Sequence, residues 1–166
     1  MTRAARGALA LGLGVLLGGC FASRRPLGSR EKGTLDPRLL ATWTCRPPET
    51  VARDAGQEGT LSVAAFDETQ YIVHWHEKGR DPEYYRAYSA RVGAETLLNV
   101  KALGTAVGGG VWSFVRYRIE TDGRLVTWIV DEKAVGERGD AGLAIVRRRV
   151  GDATLYEDLM TCSRKE

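Results

Sequence analysis

His74 and His76 are the chain's only histidines, with Trp75 between them and Glu77 following. On a strand the two imidazoles share a face about 7 Å apart, a spacing workable for one metal ion. They share it with Ile72 and oppose Tyr71, Val73 and Trp75. If that apolar set faces a core, the histidines face solvent, and spacing fixes no acidic residue as a third ligand. Exposed strand histidines are the preferred reading over a metal site. Nucleophilic chemistry has less support. There is no Gly-x-Ser-x-Gly, and Ser62, Ser89 and Ser113 have no designated base. The stretch from Gly104 to Gly110 lacks the Lys-Ser/Thr of a phosphate loop and reads as a hairpin loop. Glu157 and Asp158 are adjacent, so a strand sends them to opposite faces and they cannot work as a paired acid and base. Arg147 to Arg149 read as a solvated face. No catalytic residue, cofactor or metal is expected, and the chain is not expected to be an enzyme. The remaining chemistry is aromatic. Trp43, Tyr71, Trp75, Tyr84, Tyr88 and Tyr117 fall on strand faces that can all turn inward. With Arg86 as a polar anchor they would suit a concave site for a small amphipathic ligand. A core filled by the same side chains is the competing reading.

The elements that must position these residues are strands. Alternation of apolar and polar residues predicts strands over 39–45, 60–66, 69–77, 83–92, 95–101, 111–120, 125–131 and 154–162. Pro47-Pro48 ends the first. Thr121-Asp122-Gly123-Arg124 marks a hairpin, because Asp-Gly accepts the positive φ of tight turns. Residues 133–141 read as loop. Leu143, Val146 and Val150 are spaced for a short helix over 141–150 with Asp140 as its cap. On the fourth strand, Tyr84, Arg86, Tyr88 and Ala90 are read as the inward set. Seven or eight antiparallel strands with one short helix before the last indicate an all-β barrel or sandwich. The absence of βαβ alternation argues against a Rossmann-type sheet.

The chain has 166 residues, 43% hydrophobic and 27% charged, with 24 Lys+Arg against 21 Asp+Glu. That composition excludes a disordered chain and an integral helical bundle, and the length suits one domain. A net charge of +3 is too small to argue for nucleic acid. Near the start, Arg3 and Arg6 precede residues 8–19, an unbroken run of Ala, Gly, Leu and Val. The run is shorter than the roughly 20 residues of a spanning helix and fits the apolar region of a secretory signal. It ends in Leu17-Gly18-Gly19-Cys20, which resembles the lipobox of bacterial lipoproteins. The resemblance implies a signal peptide over 1–19, removed on export, and a diacylglycerol on the Cys20 sulfur. It also implies acylation, palmitate among the acids, at the new amino terminus. Phe21 follows the cysteine in place of an Asp retention signal, which implies the outer membrane, facing the periplasm rather than the cell exterior. Loss of Arg3 and Arg6 brings the mature charge near neutrality. Residues 20–37 carry Ser, Gly, Pro and charge without apolar periodicity and read as the lipidated N-terminus and a flexible tether. Arg24, Arg25, Arg30 and Lys32 are read as part of a solvated spacer.

The body over 38–166 carries a second resemblance. Leu39-Leu40-Ala41-Thr42-Trp43 resembles the Gly-x-Trp entry strand of lipocalin-like (calycin) barrels, with Ala41 in the place of Gly. In that family the Trp plugs one barrel end and an Arg from the last strands stacks on it. Arg148, Arg149 and Arg164 are the candidates here. With Cys20 assigned to lipid, Cys45 and Cys162 are an even pair in an oxidising compartment. They end the first and last strands, which are neighbours in a closed barrel, so a disulfide is expected between them. Two functional expectations follow. The first is a non-catalytic, membrane-anchored periplasmic lipoprotein whose barrel binds a small apolar ligand. The alternative is a structural or assembly factor of the envelope. It would present the outer face of a filled barrel, with Trp112, Phe114 and Trp128, to a protein partner. A metal-dependent enzyme using His74 and His76 ranks last.

Overall fold

The computed structural model describes residues 19–48, 58–104 and 110–166. The residues that carry the signal-peptide reading, Leu17 and Gly18 included, and most of the Gly-rich loop lie outside the described residues.

Among the described residues, nine strands form one antiparallel sheet: β1 (Ala22–Ser23), β2 (Thr42–Arg46), β3 (Gly59–Ala65), β4 (Gln70–Glu77), β5 (Glu83–Val92), β6 (Glu95–Leu103), β7 (Trp112–Ile119), β8 (Leu125–Val130) and β9 (Tyr156–Arg164). Strands β2 to β9 run as a meander, each paired with the next, and β9 returns to pair with β2. The sheet is therefore closed, which removes the free edges an open sheet would expose. Closure brings Cys45 opposite Cys162 in register, and the two are disulfide-bonded. The predicted hairpin at Asp122-Gly123 is present, with Gly123 at φ 83°, a conformation that costs glycine little.

Between β8 and β9 lie two short helices, α1 (Glu132–Val135) and α2 (Leu143–Arg149). Helix α1 falls in a stretch read as loop. Helix α2 forms where the spacing of Leu143, Val146 and Val150 predicts one, and all three are buried. Its expected cap is different. Gly142 occupies the N-cap, and Asp140 is spent elsewhere. Asp140 accepts hydrogen bonds from the Ser23 hydroxyl (2.6 Å), from the Arg24 and Arg25 amides and from Arg25 Nε (2.9 Å).

Those bonds hold the segment expected to be a flexible tether, which instead lies along the barrel. Strand β1 pairs with β7 at Ala22–Ser113 and Ser23–Trp112, and the Phe21 amide donates to the Val130 carbonyl. Phe21 and Leu27 are fully buried. Both join a cluster on the outside of the barrel with Leu97, Phe114, Val130 and the inner face of α2. Further on, Asn99 exchanges two hydrogen bonds with the Leu27 backbone (2.7 and 3.0 Å). Ser89 does the same with Thr34 (2.9 and 2.7 Å). Isolated apolar residues on a polar segment find partners on the barrel wall, and the burial of Phe21 and Leu27 offsets the entropy of fixing the chain.

The close approach between this segment and α2 is testable. A Cβ at Gly142 would lie 2.3 Å from the Phe21 ring and 2.8 Å from the Glu137 carbonyl. Gly142→Ala is expected to cost about 1–3 kcal/mol through overpacking. A denaturant midpoint measured against the parent checks it; an unchanged midpoint would mean that Phe21 does not pack there.

Candidate functional site

Alternation along the strands sorts side chains into lumen and outer wall. On β4, Tyr71, Val73 and Trp75 point inward; on β7, Ser113, Val115 and Tyr117; on β8, Leu125, Thr127 and Ile129. Together with residues of the other strands they line an apolar cavity of about 340 Å3. This is within the usual range of small-molecule sites. The lining runs along β7 and its entry from Val111 to Tyr117, roughly 20 Å of strand at about 3.3 Å per residue. The cavity is thus long and narrow. Among the described residues, its hydroxyl-bearing lining side chains are Ser113, Thr127, Tyr71, Tyr85 and Tyr117.

One end is closed by chain. Residues 33–39 cross it, and the Asp36 amide donates to the Tyr71 hydroxyl (2.6 Å). The Tyr117 hydroxyl donates to the Asp36 carboxylate (3.1 Å), which also pairs with Arg38 (2.8 Å). The Arg38 guanidinium beside Asp36 holds its carboxyl below the usual range, with Tyr117 adding to the effect. Burial raises the Tyr117 hydroxyl, so it stays a donor. Beneath this strap lies Trp43, 1% exposed, its ring Nε1–H donating to the Leu39 carbonyl (3.1 Å). Among the three arginine candidates Arg164 takes the stacking position, its guanidinium 6.0 Å from the Trp43 ring centre. Arg149 instead holds Asp152 and the Ala134 carbonyl. Trp43 therefore seals an end and does not line the cavity.

Comparison with family models, with curated proteins and with solved structures finds no match to this chain.

Three expected ligand-facing residues are on the other wall. On β5 the lumen side carries Tyr85 and Ala87, so Tyr84, Arg86 and Tyr88 face outward. Tyr84 is 48% exposed and stacks on His74 at 4.7 Å. Arg86 lies over the Phe66 ring at 3.7 Å and anchors nothing in the lumen. Tyr88 is buried outside, edge-on to Trp112. The inward set was misread because both faces of β5 are apolar. The N-terminal segment covers the outer one, where Gly28 sits against Ala90.

The outer aromatics are also covered. Phe114 faces outward but is fully buried against Phe21 at 5.8 Å. Trp128 is half-buried beneath Arg116 and Arg118, and Trp112 beneath Lys101. They do not form the exposed face expected of them. Among the described residues, the exposed large apolar side chains are Phe66, Tyr84 and Leu103. His74 and His76 lie on the outer wall as read, and among the described residues no group of three metal-binding side chains comes together. Glu77 is 3% exposed, accepts from Trp75 Nε1–H (3.2 Å) and pairs with Arg80 (3.1 Å).

The N-terminal segment also supplies two lumen residues that sequence reasoning missed. Cys20 and Ala22 line the cavity at the end opposite Trp43, where β1 is wedged beside β7 and Cys20 bridges to Asp131. Cys20 is 5% exposed, and its sulfur lies 3.9 Å from Glu157 Oε1. Burial, with the charges of Glu157 and Asp131, pushes its thiol from 9.0 up to about 12. In the folded body that thiol stays protonated and is a poor nucleophile. The alternation Cys20-Phe21-Ala22 was the only available signal, and it is too short to read without its partner strand.

Proposed function

We propose that this protein is a membrane-anchored envelope lipoprotein, acylated at Cys20, whose lipocalin-like barrel takes one small apolar or amphipathic molecule into its lumen. The observation that carries the binding reading is the cavity of about 340 Å3, walled almost wholly by aliphatic and aromatic side chains. A core filled by its own side chains would leave no such space. The lipocalin-like reading is supported by the eight-strand meander, the helix before the last strand and the Trp43–Arg164 stack. The anchor reading rests on Leu17-Gly18-Gly19-Cys20 and the apolar run before it. The thiol's burial fits an order of events in which lipid is attached before the body folds.

Magnitudes decide what such a lumen can hold. Burying about ten methylenes supplies roughly 8 kcal/mol at about 0.8 kcal/mol each. Immobilising the ligand costs at least about 4 kcal/mol. The net, at most about 4 kcal/mol, corresponds to a dissociation constant of about a millimolar for a single free chain.

The test uses cis-parinaric acid, a fluorescent fatty acid, titrated into mature chain exported without lipid as Cys20→Ala. Saturable binding is expected, and Ala87→Phe is expected to weaken it by about tenfold or more. Ala87 is 1% exposed and faces the lumen, so a ring there fills the cavity. A thermal midpoint that stays level or rises would show that the variant folds. Binding unaffected by the ring, or no saturable binding in the parent, would overturn the reading.

A further inference from the structure

The third cysteine of the chain is built into the wall of the cavity. Cys20 and Ala22 point into the lumen, whereas Phe21 and Ser23 point out into the cluster under α2 and toward Asp140. A substituent on the Cys20 sulfur therefore starts inside the barrel. The surroundings of that sulfur divide by polarity. Toward the lumen it meets Val115, Ile129 and Leu159. Toward the rim it meets the carboxylates of Glu157 and Asp131. A glyceryl ester has the same division, a polar head carrying an alkyl chain.

The backbone treats the other attachment point differently. The Glu132 amide donates to the Gly19 carbonyl at 2.8 Å. Cleavage before Cys20 would remove that acceptor. An acyl group on the new amino terminus restores it, because its amide carbonyl occupies the position of the Gly19 carbonyl. That chain then continues from the position of Gly19, which is not part of the lumen wall. The two attachment points of one residue thus lead in different directions.

From this we infer that the lumen of the mature protein is occupied in cis by one acyl chain of its own Cys20-linked diacylglyceryl group. The inference rests on the anchor and lumen reading above and names the occupant. An empty apolar cavity forfeits dispersion contacts along its whole lining, so a chain already tethered at the mouth has a reason to enter. Tethering presents it at a local concentration of about millimolar, and a free lipid of the same affinity would have to be dissolved at that level to compete. Two chains remain outside, which is the number that stable anchoring takes. A free alkyl ligand would then enter only by displacing the protein's own chain.

The test is photo-crosslinking in the full chain expressed in its own host. Tyr85→benzoylphenylalanine puts the reactive group in the lumen, and Val73→benzoylphenylalanine does so at a second position should the first fail to fold. Tyr84→benzoylphenylalanine, one residue away on the outer wall, is the control. After irradiation in intact cells the protein is digested and its peptides are weighed. The expected result is a peptide containing position 85 or 73 shifted by the mass of the acylated Cys20 peptide, with no such adduct at 84. A shift by the mass of a free lipid would overturn the inference and leave the lumen reading standing. No lipid adduct at either inward position would overturn both. A Cys20 peptide without acyl mass would overturn the anchor and the inference together, leaving parinaric acid binding as the separate test of the lumen.

Discussion

Replacing both halves of the bridge, Cys45→Ala with Cys162→Ala, is expected to lower stability by about 5 kcal/mol. The bond joins residues 117 apart in sequence. A loop of that length costs the unfolded chain close to 16 cal/mol/K of closure entropy, about 5 kcal/mol at room temperature. For a domain of this size the thermal midpoint should fall by about 10–20 °C. Both cysteines are buried, at 0% and 1% exposure, so small cavities add to the loss. Because the bridge ties β2 to β9, its loss acts on the seam that closes the barrel. Differential scanning calorimetry of the double variant checks the figure. A midpoint within a few degrees of the parent would mean that strand pairing across this seam holds without the bond.

Trp43→Ala is the second large effect, expected at about 3–5 kcal/mol. The ring is almost wholly buried, contacts the cluster of Leu39, Tyr71 and Leu125, and lies under Arg164. Removing it opens a void below the strap and leaves the Leu39 carbonyl without its ring N–H donor. Arg164→Ala should cost far less, about 0.5–1 kcal/mol, since the arginine contributes through the ring face alone. Chemical denaturation of the two variants gives the ratio. Equal losses would mean that the ring and the guanidinium act as one unit.

Closure was legible before any coordinates because two signals agreed. Alternation counted the strands, and the cysteines sat on the two that a barrel must join. The lumen was legible where one strand face is apolar and the other polar, as with Tyr71, Val73 and Trp75 against His74 and His76. It was not legible on β5, where Tyr84 and Tyr88 match Tyr85 and Ala87 in apolar character. Parity there is decided by a segment some sixty residues away. That segment was itself hidden. Phe21, Leu27 and Leu35 are too far apart for any period, and their partners are Phe114, Asn99 and the strap contacts, which only the tertiary fold brings near. Asp140 shows the same limit from the other side. Its position suggested a helix cap, and the fold gives it to the Ser23 hydroxyl and the Arg25 guanidinium instead.

The stitching of residues 20–34 to the barrel removes the slack from whatever is fastened at residue 20. A free leash of about that length would let the body tumble some tens of ångströms from its attachment. Here the attachment point is part of the rim itself, next to Asp131 and the start of β7. A bilayer holding Cys20 would hold the mouth of the barrel flush against its surface, with the Trp43 end facing away. On the proposed reading, an acyl chain would then pass between lipid and lumen without crossing water.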